Sequence, residues 1–328
     1  MSSGVLVYVE QADGVVDGLS LEALSFARDV ATQLGNEVDA VAVGPCAART
    51  AETLGAHGVA SVHAVDQPEV TTFGPAAHAA VVGFGISARA PAAVVAAGSD
   101  RGNEVLAHVA ARHGLPMAAN VLQVKVAAGR PWAVARQRWA GSLIEDASLA
   151  APVKLLSVAP HAVQPRPVAS GRAAAVIADA VPFQPRDLAV RVVGTEARTG
   201  GGVSLTDAKV VVGGGRGVGS AEGFGKLEEL AGLLGGAVGG SRVVTSLGWR
   251  PHADQIGQTG LRIAPDLYIA CGISGAIQHI VGCKAAKRIL AINTDAESPI
   301  MAVADYAVIG DLGQVVPAIS AEIRRRRG

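Results

Sequence analysis

The residues that could do chemistry lie in the last third of the chain, where glycines sit beside hydroxyl, amide, imidazole and guanidinium side chains. Lys209–Val212 is a predicted buried strand that runs into Gly213-Gly214-Gly215-Arg216-Gly217-Val218-Gly219, with a helix to follow over Phe224–Leu234. A strand-to-glycine-to-helix transition presents backbone N–H groups to phosphate, and Arg216 adds a positive charge. The run matches neither G-x-G-x-x-G nor the P-loop, because Lys226 lacks the required spacing. The alternative is a flexible turn, and the arginine in its middle favours phosphate or cofactor contact. Ser241-Arg242 and Trp249-Arg250-Pro251 come next, and an isolated loop arginine is ordinarily a solvated charge. Gln255-Ile256-Gly257-Gln258-Thr259-Gly260 is a polar, glycine-punctuated loop before a strand-forming Leu261–Ile263.

The stretch around which the others are organised is Leu267–Leu312. Leu267–Cys271 is a short apolar run of buried-strand type. Gly272-Ile273-Ser274-Gly275 is a turn, and a helix starting near Ala276 carries Ile277, Gln278 and His279, its positive dipole end facing the strand tip. Arg288–Asn293 is the next strand, so Asn293, Thr294 and Asp295 emerge where α/β sheets place ligand contacts. A lone histidine among Ile, Val and Ala is ordinarily a satisfied core residue. His279 follows Gly275 by four positions, however, which sets it near the ligand-bearing end.

The elements that must position these residues alternate strand and helix from the start. Strands are predicted at Val5–Val9, Val38–Val43, Ser61–Val65 and Val94–Ala97. Helices are predicted at Glu22–Leu34, Ala47–Gly55, Ala76–Ile86 and Glu104–His113, with loops at Pro68–Gly74 and Ser99–Asn103. From Asn120 the texture changes: Val121–Val126, Trp132–Arg138, Leu143–Glu145, Val153–Val158 and Ala173–Ile177 read as strands with little helix between them. Prolines make the following region loop-rich, and Arg186–Gly194 reads as a last strand. The most linker-like run is Glu196–Gly202. The expected architecture is α/β, with two doubly wound, mainly parallel sheets in domains 1–198 and 199–328.

Composition bounds the rest. With 328 residues, two domains are the expectation. Half the residues are hydrophobic and only 3% aromatic, so small aliphatic side chains must build the cores. Equal numbers of basic and acidic side chains, 28 each, argue against nucleic acid as a partner. The Arg324–Arg327 run suits the end of a helix. Cys46, Cys271 and Cys283 show no metal or redox spacing. The histidines at 57, 63, 78, 108, 113, 161 and 252 are scattered, with no zinc motif, no G-x-S-x-G elbow and no triad. No metal is expected. MSSGVLVYVE has no signal-peptide organisation, and no apolar run approaches the roughly 20 residues of a membrane span, so a cytoplasmic chain without membrane insertion is expected.

A family resemblance rests on Tyr268-Ile269-Ala270, Gly272 through His279, Ala291-Ile292-Asn293 and Val303-Ala304-Asp305-Tyr306. This signature closely resembles that of the alpha subunit of electron transfer flavoprotein. The resemblance implies a C-terminal FAD-binding domain of Rossmann-like, DHS-like type. It also implies an N-terminal domain of nucleotide-binding type that does not hold the FAD. It places Arg216, Ser241 and Ser274 towards the FAD, the two serines at the diphosphate, with Ile256, Gly257, Gly275, Ala276 and Ile277 beside them. Arg242, Gln258, Thr259, Gln278 and His279 would face the flavin ring, where donors shift its potential. Asn293 and Thr294 would meet the adenosine side, and Asp311 and Leu312 the adenine end. Ser246 stands where the family usually has an aspartate, which leaves Arg242 without one carboxylate partner. Thr294 stands where a basic residue is common, and Ser99–Asn103 departs from the family's G-R-D.

As implied by the resemblance, the chain is a one-electron carrier without a small-molecule substrate of its own, paired with a beta subunit that usually binds AMP. Acyl-CoA dehydrogenases and related flavoenzymes would be donors in fatty acid β-oxidation, and a membrane electron transfer flavoprotein–quinone oxidoreductase the acceptor. A bifurcating member, with a second FAD, is an alternative within the family. Outside it, an NAD(P)-dependent dehydrogenase using Gly213–Gly219 needs an acidic residue about 20 positions beyond the turn, and Gly232–Gly240 contains none. A cofactor-free interaction module is the third reading.

Overall fold

The computed structural model describes residues 4–127, 129–169, 172–194 and 203–327. It divides into two compact units, Met1–Glu196 and Ala197–Gly328. The predicted boundary at 198/199 and the linker-like run fall outside the described residues.

In the first unit β1 (Val5–Val9) leads through a two-stranded hairpin, β2 (Gln11–Ala12) and β3 (Val15–Val16), to α1 (Gly18–Leu34). There follow β4 (Val38–Val43), α2 (Ala51–Ala56), β5 (Val59–Val65), α3 (Pro75–Arg89), β6 (Ala93–Ala97) and α4 (Asp100–His113). The unit ends with β7 (Met117–Lys125), β8 (Trp132–Arg138), β9 (Leu143–Leu149), β10 (Lys154–Val158) and β11 (Ala175–Ala178). These form one sheet in the order β11-β5-β4-β1-β6-β10-β7-β8-β9. It is parallel from β11 to β7 and antiparallel across β7, β8 and β9. Its central strands β1, β4 and β6 are buried, largely apolar runs because helices cover both faces there. Val5, Val7 and Val9 enter one core with Leu24, Phe26 and Val30 of α1, whereas Leu6 and Tyr8 enter the other with Val82 and Leu106.

Several predicted elements change. The predicted loop Ser99–Asn103 contains the first turn of α4: Ser99 is the N-cap, and its hydroxyl accepts from the Gly102 N–H at 2.8 Å. Helix α3 continues through Gly83 and Gly85 because both pack closely, against His113 and Leu6. The predicted strand Arg186–Gly194 is not one. Pro185 opens a 3₁₀ turn whose Asp187 is buried against Arg112 at 2.7 Å, and the chain then runs without strand pairing to Gly194. The predicted helix at Ala47–Gly55 begins as a 3₁₀ turn, Ala47–Thr50.

The second unit contains β12 (Val210–Gly214), α5 (Phe224–Leu234), β13 (Ala237–Gly240) and α6 (Arg242–Ser246). It continues with β14 (Leu267–Cys271), α7 (Ile277–Cys283), β15 (Ile289–Asn293), β16 (Tyr306–Ile309) and α8 (Leu312–Arg327). All strands are parallel, in the order β13-β12-β14-β15-β16. On one face Val212, Ile269 and Ile292 pack with Phe224, Leu227 and Val316 of α5 and α8. On the other, Val211, Tyr268 and Ala291 pack with Ile256, Ile263, Ile273 and Ile300. The predicted strand Leu261–Ile263 reduces to one bridge from Leu261 to Ile256, because that chain serves as a lid on the sheet face. The terminal arginines are tied by surface ion pairs, Arg324 to Glu229 and Arg325 and Arg326 to Glu322.

Candidate functional site

The first strand of the second sheet, β12, sends its chain outward to β13 on one side, and β14 lies on the other. The strand order therefore reverses between β12 and β14, and a crevice opens at their carboxyl ends, the position at which open α/β sheets bind ligands. A cleft of about 800 Å³ occupies it, within the range of small-molecule and cofactor sites. Its walls are the turns after β12, β13, β14 and β15, the loop 255–259 and the start of α7.

The glycine run after β12 has a different role from the one its composition suggests. Gly213 and Gly214 are strand residues, and side chains there would overlap Tyr268 and Phe224. The Gly215 N–H donates to the Cys271 carbonyl at 2.9 Å and the Gly217 N–H to Gly272 at 3.1 Å. The Val218 and Gly219 N–H groups close a local 3₁₀ turn. Those donors are occupied, so the run is a joint that locks two turns together, and what it delivers to the cleft is the Arg216 side chain. Gly272 completes the joint. Its φ of 61° is left-handed, and a Cβ would stand 2.7 Å from both the Gly217 Cα and the Leu312 Cδ2.

Ser241 precedes α6 as its N-cap, yet its side chain makes no capping hydrogen bond and lines the cleft instead. Arg242 lies beside it, exposed, and forms no ion pair among the described residues. Arg250, by contrast, is tied to Asp254 and Glu228 and stacks over Phe224. The cleft wall holds two guanidinium groups, Arg216 and Arg242, and one carboxylate, Asp295, among the described residues.

The loop 255–261 is held at both ends. The Gln258 N–H donates to the Gln278 carbonyl of α7 at 2.7 Å, and the Leu261 N–H donates to the Gln255 carbonyl at 2.7 Å. Buried Gln255 accepts from the Thr245 hydroxyl at 2.8 Å and donates to the Thr259 hydroxyl at 2.9 Å. Thr259 thus has its oxygen fixed while its own proton stays available. Helix α7 has only seven residues, so the dipole expected at its start is weak. What it contributes is His279, 6% exposed. Its Nε2 lies 2.8 Å from the Tyr268 hydroxyl, and its buried Nδ1 makes no hydrogen bond of normal geometry among the described residues. Burial drives its pKa down to about 4, against a smaller raising effect of the Ile256 backbone.

Of the residues singled out in the sequence, Arg216, Ser241, Arg242, Ile256, Gly257, Gln258, Thr259, Ser274, Ala276, Gln278, His279 and Asn293 converge on this cleft. Gly275, Ile277, Thr294, Asp311 and Leu312 are not in its wall. Gly275 is pressed against Ile300, with φ 78°. Ile277 is 70% exposed, Thr294 is exposed, and Leu312 packs in the α5/α8 core. Asp311 accepts from the Gly313 N–H at the start of α8. Asn293 lines the cleft, but its amide donates to the Ile273 carbonyl at 3.0 Å and its oxygen accepts from the Asp295 N–H, so it braces two turns. Asp295, expected at the ligand-bearing tip of β15, and Gln255 of the polar loop also line the wall, whereas sequence reasoning missed Val243, Ser246, Leu247 and Ser298. Only the strand order brings them together. The β13 tip, where a dinucleotide dehydrogenase needs a carboxylate, carries Ser241 and Arg242.

The chain is similar to known proteins over both units. Residues 204–284 match the family described as "Electron transfer flavoprotein FAD-binding domain", and residues 5–183 match "Electron transfer flavoprotein domain". Proteins named electron transfer flavoprotein subunit alpha are similar over nearly their whole length. That of Mycobacterium tuberculosis is 36% identical, covering 99% of both chains. That of Clostridium acetobutylicum is 35% identical over 98% of this chain and 97% of its own. The Bacillus subtilis protein is 33% identical over 99% and 98%.

Proposed function

This chain belongs to the electron transfer flavoprotein alpha-subunit family, and from that premise we propose that it holds FAD as one subunit of a heterodimeric single-electron carrier. The observation that carries this is the cleft at the β12/β14 crevice, on which Arg242, Ser241 and His279 converge; among the described residues Arg242 has no ion pair, the Ser241 hydroxyl makes no capping hydrogen bond, and the buried His279 Nδ1 has no hydrogen bond of normal geometry. A buried polar atom left without a partner is costly, by about 1–3 kcal/mol, unless something binds it. The donor-rich walls suit a ligand that carries phosphate and gains negative charge.

When bound, FAD supplies the one-electron chemistry. Arg216, Ser241 and Ser274 are assigned to the diphosphate. Arg242, which forms no ion pair among the described residues, would add positive charge where the flavin accumulates negative charge. Thr259, held by Gln255, offers a hydroxyl proton, and His279 a neutral imidazole N–H. Val243 and Leu247 supply apolar wall that limits water. Ile256, Gly257, Ala276 and Gln278 contribute shape and backbone. Gly275 and Ile277 support the turn, and Asn293 braces the adenosine side. Thr294, Asp311 and Leu312 are kept as the expectation for the adenine end, beyond the wall described.

The beta subunit is proposed as the partner that completes the carrier and carries AMP, with flavin dehydrogenases such as acyl-CoA dehydrogenases as donors and a membrane quinone oxidoreductase as acceptor. The setting is proposed to be cytoplasmic. Among the described residues no helix is long and apolar enough to cross a membrane. The test is co-production with the beta subunit. Visible flavin absorbance, released FAD on denaturation, and reduction by a dehydrogenase with its acyl-CoA are expected. A correctly assembled pair that stays colourless with added FAD would overturn the proposal.

A further inference from the structure

Among the polar groups around the cleft, Tyr268 is the one that the cofactor reading leaves without a task. It lies on β14 with its ring fully buried, and its hydroxyl is 2.8 Å from the Nε2 of His279. Burial raises its pKa well above the ordinary phenol value, so the hydroxyl keeps its proton. That proton needs an acceptor. If His279 carried its hydrogen on Nε2 and donated it to the tyrosine oxygen, the Tyr268 O–H would be buried without a partner. With Tyr268 as donor the phenol is satisfied, Nε2 is the acceptor, and the imidazole hydrogen resides on Nδ1. Nδ1 is the nitrogen that makes no hydrogen bond of normal geometry among the described residues, the Ile256 backbone near the imidazole exerting only a small raising effect on its pKa.

We propose that Tyr268 is a positioning residue that fixes the tautomer of His279, so that the histidine presents an N–H donor, and never a bare lone pair, to the occupant of the cleft. The inference rests on the FAD reading above. It also gives Gly213 a reason. A Cβ at that position would lie 2.7 Å from the Tyr268 Cε2 and would overlap the hydroxyl, so only glycine on β12 leaves room for the phenol in this place. Gly213, Tyr268 and His279 form one device spanning β12, β14 and α7. A donor whose direction is set before the ligand arrives costs little reorganisation and favours the electron-rich, reduced form of the ring it meets.

The test uses the co-produced heterodimer, with uniform ¹⁵N labelling of histidine and His279→Asn for assignment. Wild type is expected to show His279 as neutral with its hydrogen on Nδ1. Tyr268→Phe, which removes only the hydroxyl, is expected to keep flavin while mixing the two tautomers. The first-electron equilibrium should move about fivefold towards the oxidised form, on the basis of one neutral hydrogen bond. At 59 mV per tenfold for one electron that is about 40 mV more negative. Gly213→Ala, which keeps the hydroxyl but displaces it, should move both readouts in the same direction. A wild-type His279 with its hydrogen on Nε2 overturns the inference, and does so without any variant. So does a flavin-loaded Tyr268→Phe whose tautomer and potential equal wild type. If Tyr268→Phe fails to fold or to load, the wild-type tautomer decides alone. Absence of flavin from the wild-type heterodimer is a different result, because it removes the cofactor reading and leaves the tautomer measurable.

Discussion

Replacing Gly272 by alanine tests the joint between the β12 and β14 turns. Two terms add. The residue has φ 61°, and a left-handed conformation costs a non-glycine residue about 1–2 kcal/mol. The new methyl would also sit 2.7 Å from the Gly217 Cα and 2.7 Å from the Leu312 Cδ2, and one of these neighbours is backbone. Overpacking of this kind costs about 1–3 kcal/mol. Together they predict a loss of about 2–5 kcal/mol, a large share of the 5–15 kcal/mol typical of a domain. At roughly 4 °C per kcal/mol, the melting temperature of the second unit falls by about 8–20 °C. The same displacement moves the turns that carry Arg216 and Ser274, so FAD affinity should fall by more than tenfold. Gly225→Ala is the matched control. It lies inside α5 with open space around its Cβ and should stabilise by about 0.5–1 kcal/mol. Calorimetry and FAD titration of the heterodimer read both variants. If Gly272→Ala melts and binds as wild type, or the two variants behave alike, the reasoning about the joint is wrong.

Two further outcomes follow from the charges and the buried imidazoles. Arg242→Ala removes an unneutralised guanidinium from the cleft wall, and a charged hydrogen bond of about 1.5–3 kcal/mol implies a more negative flavin potential; an unchanged potentiometric titration would reject that role. His78, bonded to the Tyr8 hydroxyl at 2.8 Å, is held by burial at a pKa of about 4, as is His279. For each the folded value lies below the ordinary 6.5, so between about pH 4 and 6.5 the unfolded chain binds more protons. Stability is therefore fully present above that window and is lost as pH falls through it, by up to about 3 kcal/mol per histidine. His78→Gln should flatten the melting-temperature decline of the first unit between neutral pH and about pH 5, and an equally steep decline would show that His78 is not its source.

Much of the fold could be read from residue patterns, because buried parallel strands leave uninterrupted apolar runs. Val5–Val9, Val38–Val43 and Leu267–Cys271 have the bounds their composition suggests. Elements failed where the pattern had a second cause. Arg186–Gly194 carries β-branched residues but starts at Pro185 and the buried Asp187–Arg112 pair, which bend it away from any sheet. Leu261–Ile263 is apolar because it covers the sheet. In the site, the glycine turns singled out Arg216 and His279 and the family resemblance added Ser241 and Ser274, and all four reach one cleft. Ser246, Leu247 and Ser298 could not be found this way. Their membership depends on β13 and β15 flanking the β12/β14 pair, and no local pattern encodes that order. The tyrosine behind His279 was equally hidden, because eleven positions of sequence separate two side chains that share one hydrogen bond.

The most direct measurement is a titration of FAD into the flavin-free heterodimer, followed by fluorescence quenching, for wild type and for Arg216→Ala. One FAD per alpha chain with saturable quenching, and about tenfold weaker binding in the variant, is the predicted result. Quenching that never saturates, or equal affinity in both proteins, would contradict the placement of the cofactor between the β12 and β14 turns.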